Sequence, residues 1–136
     1  MDCIFCKIAR HEILAEIVAE DAHTLAFLDI HPQAPGHTVV IPKFHAPALA
    51  DLPPAEVGPL FLTVQALADL LISALKSDGL TIGINQGLVS GQTVPHLHIH
   101  LFPRFLGDGG KSVHSVVNNP PQEDLKSIAE KIRKTS

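Results

Sequence analysis

Tryptophan and tyrosine are both absent from the 136 residues, and methionine occurs once. Any pocket for a flat ring must therefore come from the six phenylalanines and from aliphatic side chains. Lysine and arginine total 10 against 14 acidic residues, a net charge of −4 with histidine neutral, and they form no cluster. That removes the basic stripe on which nucleic-acid binding rests. Phosphates handled by this chain must instead meet backbone N–H groups, hydroxyls and imidazoles. No stretch reads as the roughly 20 apolar residues of a membrane span. Met1 to Cys6 lack the basic region and apolar core of a signal peptide. The expectation is a cytoplasmic protein with neither nucleic acid nor membrane among its partners. Only two cysteines occur, Cys3 and Cys6. In a reducing compartment such a C-x-x-C suits metal binding or redox work better than a lasting disulfide.

What the chain does have is enough apolar material for a core, at 46% of residues, and no repeat or linker that would divide it. One domain over 1–136 is expected. Ile4 to Ala9 reads as a short helical turn. Glu16–Glu20 and Thr24–Ile30 read as strands joined near Asp21, and His37–Pro42 as a third. After Pro53 and Pro54, Val57, Leu60, Phe61, Val64, Leu67, Ala68, Leu71 and Leu75 recur at three- and four-residue steps, which predicts a long helix ended by Gly79. Leu80–Asn85 and His96–Phe102 read as strands around a Gly87–Pro95 loop, and a last helical pattern runs from about Glu123 to Lys134. Hairpin strands with one long helix give an α+β fold, not alternating β-α units.

Nine histidines are the compositional oddity. His96, His98 and His100 alternate with Leu97, Ile99 and Leu101, which puts three imidazoles on one strand face. A buried imidazole needs a polar partner, so this arrangement suits chemistry or metal binding better than burial. The loop before them, Gly91-Gln92-Thr93-Val94, offers N–H groups, an amide and a hydroxyl, donors that suit phosphate oxygens. Asn85 and Gln86 add further amides to the same rim.

Gly91-Gln92-Thr93-Val94-Pro95-His96-Leu97-His98-Ile99-His100-Leu101-Phe102 resembles the signature of the histidine triad (HIT) superfamily. The likeness extends to Cys3–Ile8, Phe27–Ile30, Gly36–Lys43 and His45, in the family's order, and is nearest the bacterial Hint-like branch. It implies a HIT-like fold, an antiparallel sheet of about five strands with one long central helix and a C-terminal helix. It also implies a nucleotide hydrolase that cleaves at the α-phosphate of purine nucleoside phosphoramidates through a nucleotidyl-histidine intermediate, on AMP or GMP derivatives. By the same resemblance His98 is the nucleophile and His100 the phosphate-binding histidine. Gln92 and Thr93 contact phosphate and leaving group, and Asn85 lies on the phosphate side. Asp29 holds the ribose, and Ile4, Phe5, Ile8, Phe27 and Ile30 form the base pocket.

The resemblance also assigns Cys3, Cys6, His45 and His96 to a structural zinc ion. Two thiolates and two neutral imidazoles make a closed, neutral tetrahedral set. Relatives without the cysteines still turn substrate over, which implies that such a metal takes no part in the chemistry. A homodimer is implied too, and the central helix and the Leu80–Asn85 strand carry more apolar surface than one small sheet covers. Residues from about 105 to 136 exceed what short phosphoramidases carry. Pro103-Arg104 and the Gly-Gln-Thr-Val loop also occur in the branch that cleaves diadenosine polyphosphates, so that activity stays open. So do a nucleotidyltransferase and a nucleotide-binding interaction module with weak catalysis.

Overall fold

The computed structural model describes residues 3–135. Five antiparallel strands, β1 (Ile17–Glu20), β2 (Thr24–Leu28), β3 (Thr38–Pro42), β4 (Gly79–Gly83) and β5 (Ile99–Arg104), form one sheet in the order β1-β2-β3-β5-β4. The helices are α1 (Ile4–Ala9), α2 (Pro54–Leu75) and α3 (Leu125–Thr135). The crossover that places β5 between β3 and β4 carries α2 across one face of the sheet.

Alternation divides the strand residues between two covered faces. Ala26, Val40, Ile99 and Leu101 point to one side and, with Leu97 just before β5, pack with Leu60, Val64, Leu67 and Leu71 of α2. Each of those four helix residues contributes roughly 1.5–3 kcal/mol by leaving water. Leu25, Phe27, Val39 and Ile41 point to the other side and pack with Ile8 of α1. The sheet is thus a middle layer, and β2 and β3 read as continuous apolar runs for that reason.

Several boundaries differ from the sequence reading. α2 ends at Leu75, where Lys76 turns left-handed at φ 56°, and Gly79 opens β4 instead of closing the helix. At 22 residues α2 is also long and apolar enough to cross a bilayer, contrary to the reading that no stretch approaches a span. Its Leu60, Val64, Leu67 and Leu71 are buried in the sheet core, the pattern of an amphipathic core helix. β4 stops at Gly83, two residues early. β5 begins only at Ile99, so His96 and His98 precede the strand. There the chain bends, with His96 N–H donating to the Val94 carbonyl at 2.8 Å and Leu97 N–H to the Ala46 carbonyl at 2.7 Å.

Candidate active site

α1 begins at Cys3, whose sulfur accepts the Cys6 N–H at 3.1 Å and so caps the helix. That cap places both sulfurs on one side of the first turn. Across from them stand His45, after β3, and His96, before β5. Nδ1 of His45 lies 3.6 Å from the Cys3 sulfur and 3.3 Å from the Cys6 sulfur. Nδ1 of His96 lies 3.4 and 3.5 Å from the same two atoms, and the two nitrogens are 3.2 Å apart. With metal–sulfur bonds of about 2.3 Å and metal–nitrogen bonds of about 2.0–2.1 Å, a tetrahedron has edges of roughly 3.5 and 3.4 Å, so the four donors fit a zinc-sized ion. His96 Nε2 lies 2.8 Å from the Pro42 carbonyl, which can only accept, so Nε2 carries the proton and the Nδ1 lone pair faces the cluster. Burial also holds His96 below the ordinary imidazole range, which keeps it neutral. Burial first, and then Cys3, push the Cys6 thiol up to about 11, so a cation there displaces a proton to bind.

The expectation that three imidazoles on one strand face are poorly suited to burial is corrected by the structure. His96 and His98 are buried under Phe5 of α1, and His100 is half-buried beside His37 and Phe102. Each ring finds a polar partner, which is what burial requires. His98 Nδ1 donates to the His96 carbonyl at 2.7 Å, leaving the Nε2 lone pair free. Gln33 N–H donates to His37 Nδ1 at 3.1 Å, so the proton of neutral His37 sits on Nε2, from which it reaches His100 Nδ1 at 2.9 Å. His100 then carries its own proton on Nε2. The result is adjacent rings, with centroids 5.0 Å apart, one presenting a lone pair and the other an N–H. Burial first, then His98 and His37, bring His100 down to about 4, so it stays neutral near pH 7. Burial also lowers His37, and Asp29 partly opposes this with a carboxylate oxygen 3.6 Å from Nε2.

His37 was assigned no role in the sequence reading. Its signal was faint: it shares alternation with Val39 and Ile41, and only the β3–β5 register, with Val39 opposite His100, brings it beside the triad. Gln92 is placed differently from its expected phosphate contact. Its oxygen accepts the Gly87 N–H and its Nε2 donates to the Pro47 carbonyl, both at 2.8 Å. The Gly91 and Gln92 N–H groups likewise bond within the loop, to Leu88 and Gly87. A loop this tight needs its own donors to hold its shape, and the exposed Thr93 is what remains at its tip. Asn85 is exposed on the same rim. Phe5, Ile8 and Phe27 pack together beneath α1, with the Phe5 and Phe27 rings edge to face at 5.6 Å. Ile4 is at the surface and Ile30 is 81% exposed. Half-buried Asp29 accepts the His31 N–H at 2.8 Å through its other oxygen.

Residues 10–107 match the HIT domain family. The chain belongs to the HIT family. This HIT protein is 41% identical over 131 residues to an uncharacterized HIT-like protein of Methanocaldococcus jannaschii, covering 96% of this chain and 98% of that one. It is 41% identical over 103 residues to the adenosine 5′-monophosphoramidase HNT1 of Saccharomyces cerevisiae, covering 75% of this chain and 62% of the yeast protein. Among solved structures, a HIT family member from Bacillus subtilis superposes with a TM-score of 0.87 at 34% identity, covering 98% of this chain and 96% of the other. A Zn-bound histidine triad family protein from Mycobacterium smegmatis superposes with a TM-score of 0.75 at 35% identity, covering 100% of this chain and 99% of its own. The α+β HIT fold expected from the sequence is the one observed.

Proposed function

We propose that this HIT protein hydrolyses purine nucleoside phosphoramidates at the α-phosphate by way of a nucleotide carried on His98. The observation that supports it most is the pairing of ring protons: His98 Nδ1 donates to the His96 carbonyl, so Nε2 is the nucleophilic nitrogen, while the neighbouring His100 offers Nε2–H. In the first step His98 Nε2 attacks the α-phosphorus, a phosphorus–nitrogen bond to the ring forms, and the bond to the leaving nitrogen breaks as that nitrogen takes a proton from solvent and departs as the amine. In the second step water attacks the same phosphorus and gives up a proton to solvent, and the bond to the ring breaks to release neutral imidazole. His100 donates to a non-bridging oxygen as charge builds there, Thr93 lies at the leaving-group side, and Asp29 holds the ribose. Phe5, Ile8 and Phe27 supply apolar surface for the base. Similarity to a yeast protein named as an adenosine 5′-monophosphoramidase supports this reading over diadenosine polyphosphate cleavage.

Cys3, Cys6, His45 and His96 would hold a structural zinc ion, whose chemistry is to tie α1 to the segments around β3 and β5. We also assign residues 1–136 to one HIT domain with a C-terminal extension from about 105, working in the cytoplasm as a homodimer. Phe61, Leu62 and Leu70 of α2 and Ile82 of β4 stand exposed, and α3 buries none of its residues in this chain.

The test is rapid quenching during turnover of adenosine phosphoramidate, followed by mass spectrometry. A nucleotide on His98, labile in acid and stable in base, is expected. Turnover without an adduct, or an adduct on Thr93, overturns the mechanism.

A further inference from the structure

The segment that carries His98 lies outside the sheet ladder, which starts at Ile99. Its tethers lead instead to the thiol–imidazole cluster. His96 is itself a member of the cluster, and its carbonyl accepts the His98 Nδ1–H. Leu97 N–H is held by the carbonyl of Ala46, the neighbour of the cluster residue His45. On the other side, Phe5 sits between Cys3 and Cys6 in the first turn of α1. Its ring meets His98 edge to face at 5.0 Å and His96 at 5.9 Å. Besides the His100 ring, the His98 ring is thus bounded by two groups, the His96 carbonyl and the Phe5 ring, whose positions follow from where the cluster residues sit.

We infer that the Cys3–Cys6–His45–His96 centre is a positioning device for the nucleophile. When it holds a thiophilic divalent cation, it fixes the His98 ring through Phe5 and the His96 carbonyl. It takes no part in the reaction and makes no contact of its own with the nucleotide. A purely structural centre would change stability only. A positioning centre changes which ring nitrogen of His98 carries its proton and how the ring is aimed, and so acts on kcat more than on affinity. The effect on turnover rests on His98 being the nucleophile; the effect on the ring does not.

The experiment uses full-length protein in three forms: zinc-loaded wild type, wild type stripped by a chelator, and zinc-loaded Phe5→Leu. Long-range proton–nitrogen NMR of labelled histidine reads the His98 tautomer without substrate, and calorimetry reads AMP affinity. Stripped protein, checked as folded by circular dichroism, is expected to lose the single Nδ1–H signature of His98. Its kcat should fall about 10–100-fold, well beyond any change in AMP affinity, and zinc should restore kcat and the His98 signature. Phe5→Leu should keep its zinc and still show a loosened His98 and a reduced kcat. Folded, stripped protein with an unchanged His98 spectrum and kcat overturns the inference. Should stripping unfold the chain, Phe5→Leu decides: wild-type kcat and His98 spectrum with zinc retained overturns it. If His98→Ala keeps activity, the function proposed above fails while the NMR arm still judges the positioning.

Discussion

Two main-chain groups, the His96 carbonyl and the Gln33 amide, decide which nitrogen of each active ring carries a proton. Neither is visible in a residue pattern, since both depend on where the chain bends. With His98 the nucleophile, His98→Ala should abolish turnover and leave AMP binding largely intact by calorimetry. His100→Ala should reduce kcat by about 10²–10³-fold, the scale of one lost oxyanion donor. Retained turnover in His98→Ala would move the chemistry elsewhere. The pH dependence of stability follows from the same burial. An unfolded histidine titrates near 6.5, whereas His100 is brought down to about 4 in the fold. Between those values the unfolded chain binds the proton more readily. The contribution is therefore complete above pH 6.5 and is lost as pH falls toward 4. Thermal midpoints should drop across that window, and less steeply in His100→Gln; equal slopes would place the loss in other groups.

Among the elements, the β3 entry shows how close packing constrains sequence. Gly36 has φ +83°, and a Cβ there would lie 2.2 Å from the Leu75 Cδ1 and 3.3 Å from the Pro103 Cγ. Gly36→Ala must both adopt a left-handed backbone and displace the side-chain tip of Leu75, the last residue of α2. A loss of about 1–3 kcal/mol in denaturant unfolding is expected; an unchanged midpoint would show that Leu75 moves freely. The loop before the triad is held in the same spirit by Gln92, which bonds Gly87 and Pro47. Its residue types suggested phosphate donors, but donor chemistry alone cannot say whether an amide faces a ligand or its own loop. α2 was legible from its three- and four-residue steps because periodicity reports the buried face. Its end was not, since Lys76 adopts a conformation that residue type disfavours.

For the whole molecule, the exposed apolar face of α2, the free edge of β4 and an α3 with no buried residue all call for a partner surface. A second copy is the expected occupant, so light scattering at micromolar concentration should give about twice the 14.6 kDa chain mass. A monomeric mass would set the homodimer aside. Metal analysis should find one zinc per chain, and a chelator should lower the thermal midpoint, because three segments distant in sequence meet at that centre. Metal-free protein of full stability, with Cys3→Ser harmless, would remove zinc from the account.

The order of strands and helices, the apolar alternation and the triad motif are local, and the sequence by itself determined them: periods of two and of three to four residues need no knowledge of neighbours. Long-range approach was decided by the fold alone. The β3–β5 register brings His37 to His100, and the α1 cap turns Cys3 and Cys6 toward His45 and His96. Phe5 of α1 covers His96 and His98, and His37 covers His100, burying rings whose spacing reads as poorly suited to burial. The spacing gives the face on which a ring stands; only the packing of another element on that face decides whether water reaches it.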